Sequence, residues 1–118
     1  MASADAHRAK AEKNLRFLGI IPDEYADWLA TVAFYSAVHY VQAVFARDGV
    51  SSRSHFELNQ RLRRQHPDIW RQFKPLYNAS RLARYTDFPI NAAEVLGELI
   101  EGRLKAIRRM VAERLPRS

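Results

Sequence analysis

Between Trp28 and Ala46 the chain runs for 19 residues without an Asp, Glu, Lys or Arg. A run of that length could cross a bilayer, and in a chain of 118 residues its placement decides the architecture. It holds Thr31, Tyr35, Ser36, His39, Tyr40 and Gln42, a polar load that is costly in lipid. The segment therefore reads as the central, largely buried helix of a soluble bundle. Asp23 and Glu24, just after Pro22, suit the positive end of its dipole, and Arg47, Asp48 and Gly49 mark its stop. A chain this short supports one core, so residues 1–118 are expected to form a single domain. With 47% hydrophobic and 27% charged residues, the composition is that of a folded globule rather than a disordered chain. The core is still modest, which makes homodimerisation an expected way to bury more surface.

Helical periodicity continues on both sides of this run, and no stretch shows the alternation of a strand. A first helix is expected from Ala4 to Leu18, capped by Ser3, stopped by Gly19, with Ala11, Leu15 and Leu18 inward. Ser54 and Glu57 have capping-box spacing and open a third helix that carries Phe56, Leu58 and Leu62 inward. Pro67 disfavours helical geometry at His66 and should interrupt it. The pattern resumes from Asp68 to Tyr85, and residues 86–90 form a proline-containing turn. Asn91 and Glu94 repeat the capping box before a last helix with Leu96, Ile100, Leu104, Ile107, Val111 and Leu115 inward. The expected fold is all-α: an antiparallel four-helix bundle with its third helix interrupted near Pro67.

The net charge is +6. All of that excess lies between Arg53 and Arg84, where Arg53, Arg61, Arg63, Arg64, Arg71, Lys74, Arg81 and Arg84 face only Glu57 and Asp68. The segment is rich in arginine, whose guanidinium matches phosphate oxygens in pairs. Either these are solvated helix faces or the segment meets an anionic partner, namely RNA, a nucleotide or an acidic protein. Several chemistries are excluded. There is no cysteine, so disulfides, thiolate catalysis and Cys-based zinc sites are out. No Gly-rich loop precedes a helix. His7, His39, His55 and His66 lack metal-ligand spacing along the chain, so neither metal nor cofactor is expected. Met1 to Lys13 is charged and lacks the apolar stretch of a signal peptide, which points to the cytoplasm.

Two groups of side chains stand out. Thr31, Tyr35, His39 and Gln42 share one face of the uncharged helix; buried, each needs a hydrogen-bond partner. His39 is then either a satisfied structural group or, with Tyr35, part of a polar ligand pocket. Tyr77, Ser80, Arg81, Arg84 and Tyr85 follow one stripe of the next long helix. Arginines beside tyrosines can hold a phosphate while a ring stacks on a base; alternatively, the arginines pair with Asp87 or other acids.

Taken in order, these segments resemble the HEPN domain, a helical-bundle family associated with nucleotide and RNA biology. In the uncharged helix, Ala33, Phe34, Tyr35, Ser36, Ala37 and His39 through Ala43 to Gly49 follow the family pattern AYYAxxHxxxAxLxxxG. Ser54 and His55 stand where members carry a Ser-His or Thr-His, and Arg81, Leu82, Ala83, Arg84 and Tyr85 follow its RxxADY-like element. The resemblance covers residues 6–112. It implies a dimeric protein that binds nucleic acid or nucleotide. Ribonuclease members place a histidine after an arginine and four to six intervening residues, and neither Arg81 nor Arg84 is followed in this way. Arg61 and His66 match the spacing formally, one helical segment earlier. The expectation is thus a noncatalytic binding protein with Arg81, Arg84, Tyr85, Tyr77, Ser80, Tyr35 and His39 at its site. A metal-independent endoribonuclease using His39, His55, Arg61 or His66 is the first alternative. The second is an interaction module of a toxin–antitoxin or defence system.

Overall fold

The structure, a computed structural model, describes residues 3–115. It is all-helical: among the described residues 82% are in helix and none in a strand. There are five helices: α1 (Ala4–Leu18), α2 (Ala26–Arg47), α3 (His55–Gln65), α4 (Pro67–Tyr85) and α5 (residues 92–114). The first two and last three positions of the expected single-domain span lie outside the described residues.

Local chemistry accounts for most boundaries. Ser3, Ser54 and Asn91 each accept a hydrogen bond from the backbone N–H three residues on, at 3.0–3.1 Å, and so cap α1, α3 and α5. A single 3₁₀ turn, Asp23–Tyr25, precedes α2. At the far end of α2, Gly49 adopts φ +75°, a left-handed conformation that strains side chains with a Cβ. The N–H of Val50 then reaches the Phe45 carbonyl at 2.9 Å and closes the helix.

The uncharged helix is indeed the centre of the molecule, and 72% of its most apolar window is buried. Leu29, Ala33, Phe34, Ala37, Tyr40, Val41 and Ala43 have no solvent-exposed surface. α1 lies along it, held by the buried Ser36 hydroxyl donating to the Ala11 carbonyl at 2.9 Å. Leu58 and Leu62 of α3, Ile69, Phe73 and Leu76 of α4, and Leu104, Ile107 and Val111 of α5 complete the core.

Four expectations are corrected. The interrupted third helix is two separate helices, which makes five rather than four: His66 (φ −137°, ψ 66°) leaves helical geometry, and Pro67 starts α4 at its first-turn position. Phe56 is 71% exposed, because Leu58 and Leu62 define the inward face of α3 and a residue two places away points to the opposite side. The polar stripe on α2 is not wholly buried, since Tyr35 remains 38% exposed. Finally, α5 is not uniformly α-helical; Val95–Leu104 forms a π-helix between short α-helical pieces. Its buried residues Val95, Leu99, Ile100 and Leu104 recur every four to five positions, the wider turn of a π-helix, before Ile107 and Val111 restore the α spacing. The end of α5 is secured by arginines from elsewhere. Arg8 donates to the Leu115 carbonyl, Arg47 to the Arg114 carbonyl, and the Arg114 side chain pairs with Asp68 at 2.6 Å.

A candidate anion-binding cleft

The C-terminal half of α4, the start of α3 and the middle of α2 meet around Phe34. This fully buried ring is 5.4–5.7 Å from the rings of Tyr35, His55, Phe73 and Tyr77. Above it opens a depression of about 370 Å³ lined by His55, Tyr77, Arg81, Arg84 and Tyr85. The helical spacing of α4 places its four contributors on one side, and the cap at Ser54 sets His55 as the first residue of α3 facing them.

Arg84 is the most constrained side chain here. Its Nε donates to the Ser80 carbonyl at 3.3 Å, one Nη to the Ser80 hydroxyl at 3.2 Å and the other to the Tyr35 hydroxyl at 3.4 Å. The guanidinium lies 5.4 Å from the Phe34 ring centre, 5.8 Å from Tyr35 and 5.0 Å from Tyr85. Ser80 is fully buried and donates to the Tyr77 carbonyl at 3.2 Å; it positions Arg84 from below instead of facing the cleft. Arg81 is exposed and rests against the Tyr77 ring at 5.8 Å. Neither arginine forms an ion pair among the described residues, with Asp87 or any other acid. Two positive charges thus face solvent with aromatic rings, not carboxylates, as neighbours. Burial and the nearby Arg84 charge lower the pKa of His55, so its imidazole is neutral at neutral pH.

The other candidates lie elsewhere. Arg61 bonds Glu57, the Ser51 carbonyl and the Ser52 hydroxyl, and stacks on Phe45; it ties the α2–α3 loop to α3. His66 packs against the same Phe45 ring and approaches Asp48 at 3.7 Å. His39 is one turn beyond Tyr35 but turns to α1, where its Nδ1 meets that of His7 at 3.2 Å. Thr31 bonds the Asp27 carbonyl of its own helix, and Gln42 Oε1 is buried without a partner among the described residues.

Sequence spacing missed two relations. His55 and Arg84 are 29 positions apart and line one depression because α3 packs on α4 and both side chains lie against the Phe34 ring of α2. Phe34, matched in the sequence to an aromatic position of the family pattern and given no role at the site, is the platform on which the cleft is built. A second surface feature sits at the tip of the α1–α2 hairpin, where Phe17, Ile20, Tyr25 and Trp28 are 47–74% exposed around a depression of about 400 Å³. No group of three or more His, Asp or Glu side chains able to hold a metal exists among the described residues. Comparison of the chain with protein-family models, curated proteins and solved structures gives no match.

Proposed function

We propose that the chain is a HEPN-like, noncatalytic cytoplasmic protein that binds RNA or a nucleotide at the α2–α3–α4 cleft. On this reading the four-helix arrangement of that family is kept, with α3 and α4 as the two halves of its third member. The observation that carries the proposal is the pair of arginines without acidic partners, set among Tyr35, Tyr77 and Tyr85. Arg84, held by Ser80 and Tyr35, presents a pre-oriented guanidinium to a phosphate. Exposed Arg81 supplies a second positive charge, and Tyr85, 71% exposed, offers a face on which a base can stack. Binding of a labelled single-stranded RNA, measured at two salt concentrations, is the test. Affinity should fall steeply with salt, because phosphate contacts release counterions. Salt-insensitive binding, or no binding to RNA or mononucleotides, would overturn the reading.

The neutral imidazole of His55 beside Arg84 favours one further reading, a metal-independent endoribonuclease. His55 would accept the proton of an RNA 2′-hydroxyl as its oxygen attacks the adjacent phosphorus, and Arg84 would stabilise the charge on that phosphate. The P–O5′ bond would break, the 5′-oxygen taking a proton from water and leaving a 2′,3′-cyclic phosphate. Cleavage of RNA in the presence of a chelator, lost in His55→Ala, would establish it over simple binding. The homodimer belongs to the same proposal. Its interface is the apolar hairpin tip, where Lys13 and Arg16 of α1, Asp23 and Glu24 of the 3₁₀ turn and Asp27 of α2 give a two-fold partner opposite charges to meet.

A further inference from the structure

We propose that His7 and His39 form a binding site for a divalent transition-metal ion, joining the first turns of α1 to the middle of α2. The two imidazoles come from different helices, 32 positions apart, so no motif along the chain announces them. Their Nδ1 atoms face each other at 3.2 Å, with ring centres 5.4 Å apart and planes inclined by 26°. Two nitrogens bound to one tetrahedral zinc ion at about 2.0–2.1 Å lie about 3.3–3.4 Å apart, close to this spacing. As a direct hydrogen bond the contact is at the long end of the range and requires one ring to turn its proton toward the other. A shared cation uses both lone pairs.

Two further observations support the site. Gln42 lies three residues after His39 on the same face of α2, and its Oε1 is buried with no hydrogen-bond partner among the described residues. An amide oxygen in that state carries a desolvation cost that a cation would offset. Gln42 and His7, without His39, also line a cavity of about 60 Å³, large enough for water. Burial, the larger cause of their lowered pKa values, keeps both histidines in the neutral form that ligates metals, while the positive charge of Lys10 opposes proton and metal ion alike. Two imidazoles, with water completing the shell, suit zinc, copper or nickel rather than magnesium or calcium. The site is separate from the cleft at Arg84, so its failure would leave that reading untouched.

The test uses the whole chain, stripped with a chelator and then titrated calorimetrically with zinc chloride, with thermal unfolding followed in parallel. One zinc ion should bind per chain and raise the melting temperature, and the chelator should reverse the rise. His7→Gln and His39→Gln should each weaken zinc affinity by more than about tenfold, a loss at least as large as that of an outer-shell partner. His66→Gln should leave it unchanged. His7 is in the first turn of α1, so its variant keeps the test valid if His39→Gln misfolds. Absence of zinc, copper and nickel binding, or zinc binding unaffected by His7→Gln, would show that the histidines share only a proton.

Discussion

Arg84 gains its setting from residues 4 and 49 positions away, and each contact limits where its guanidinium can go. Its cation–π contacts are worth about 0.5–1 kcal/mol each when exposed, so the aromatic cage stabilises its orientation more than its charge. Arg81 has no such cage on several sides and is the cleaner probe. Arg81→Ala should lower ligand affinity by roughly tenfold to a hundredfold, the loss of a charge-assisted hydrogen bond, with folding stability within about 0.5 kcal/mol of the parent. Equilibrium binding and denaturant unfolding check the two halves of that statement. His39 makes a different prediction. Burial, then the charges around Lys10 and His7, push its pKa down to about 4 from 6.5. Between these values the unfolded chain binds more protons than the folded one, so this contribution to stability is complete above pH 6.5 and is lost as the pH falls toward 4. Metal-free protein should therefore melt at lower temperature across that window, and His39→Gln should flatten the dependence. Lowered pKa values at His7 and His55 act in the same direction, so some slope should persist.

At the scale of elements, the caps were the most legible features. Ser3, Ser54 and Asn91 stand where the backbone needs an acceptor, and that requirement is local. Ser54→Ala should cost about 1 kcal/mol by chemical denaturation and disturb the position of His55 at the head of α3. Burial of α2 was equally legible, because nineteen residues without a charge leave few alternatives in a chain this small. The π-helix in α5 was not. Its apolar residues fit steps of four if Leu96 is taken as inward, and only packing shows that Val95 and Leu99 hold the buried positions instead. The full separation of α3 from α4 was also hidden, since a proline can kink a helix or end it and the outcome depends on tertiary contacts. Phe34, touched by rings from three helices, is the joint of the cleft. Phe34→Ala should destabilise the protein by about 3–5 kcal/mol in unfolding experiments and weaken ligand binding with it.

Over the whole molecule, a Cα radius of gyration of 13.6 Å is what a compact chain of this length should have. The excess charge and the apolar depression at the hairpin tip lie on different elements, although Phe56 and Tyr85 are also exposed beside the basic segment. The segment from Arg53 to Arg84 carries the charge, mostly on α3 and α4, and the α1–α2 hairpin carries the apolar depression. The charge excess was readable from the sequence as a segment, but its focus was not: of its eight basic side chains only Arg61 forms an ion pair among the described residues, and Arg81 and Arg84 are set apart by the tyrosine rings around them. Trp28→Glu, by placing a charge on the apolar tip, should shift sedimentation from dimer to monomer without affecting RNA affinity per chain. Sedimentation of the parent protein as a monomer would remove that interface. The central claim is that the α2–α3–α4 cleft holds a phosphate-bearing ligand, and amide chemical shifts of labelled protein titrated with a short single-stranded RNA test it most directly. The expected changes cluster at His55 and at Tyr77 to Tyr85 and are suppressed in Arg81→Ala; changes confined to the hairpin tip, or none at all, would contradict the claim.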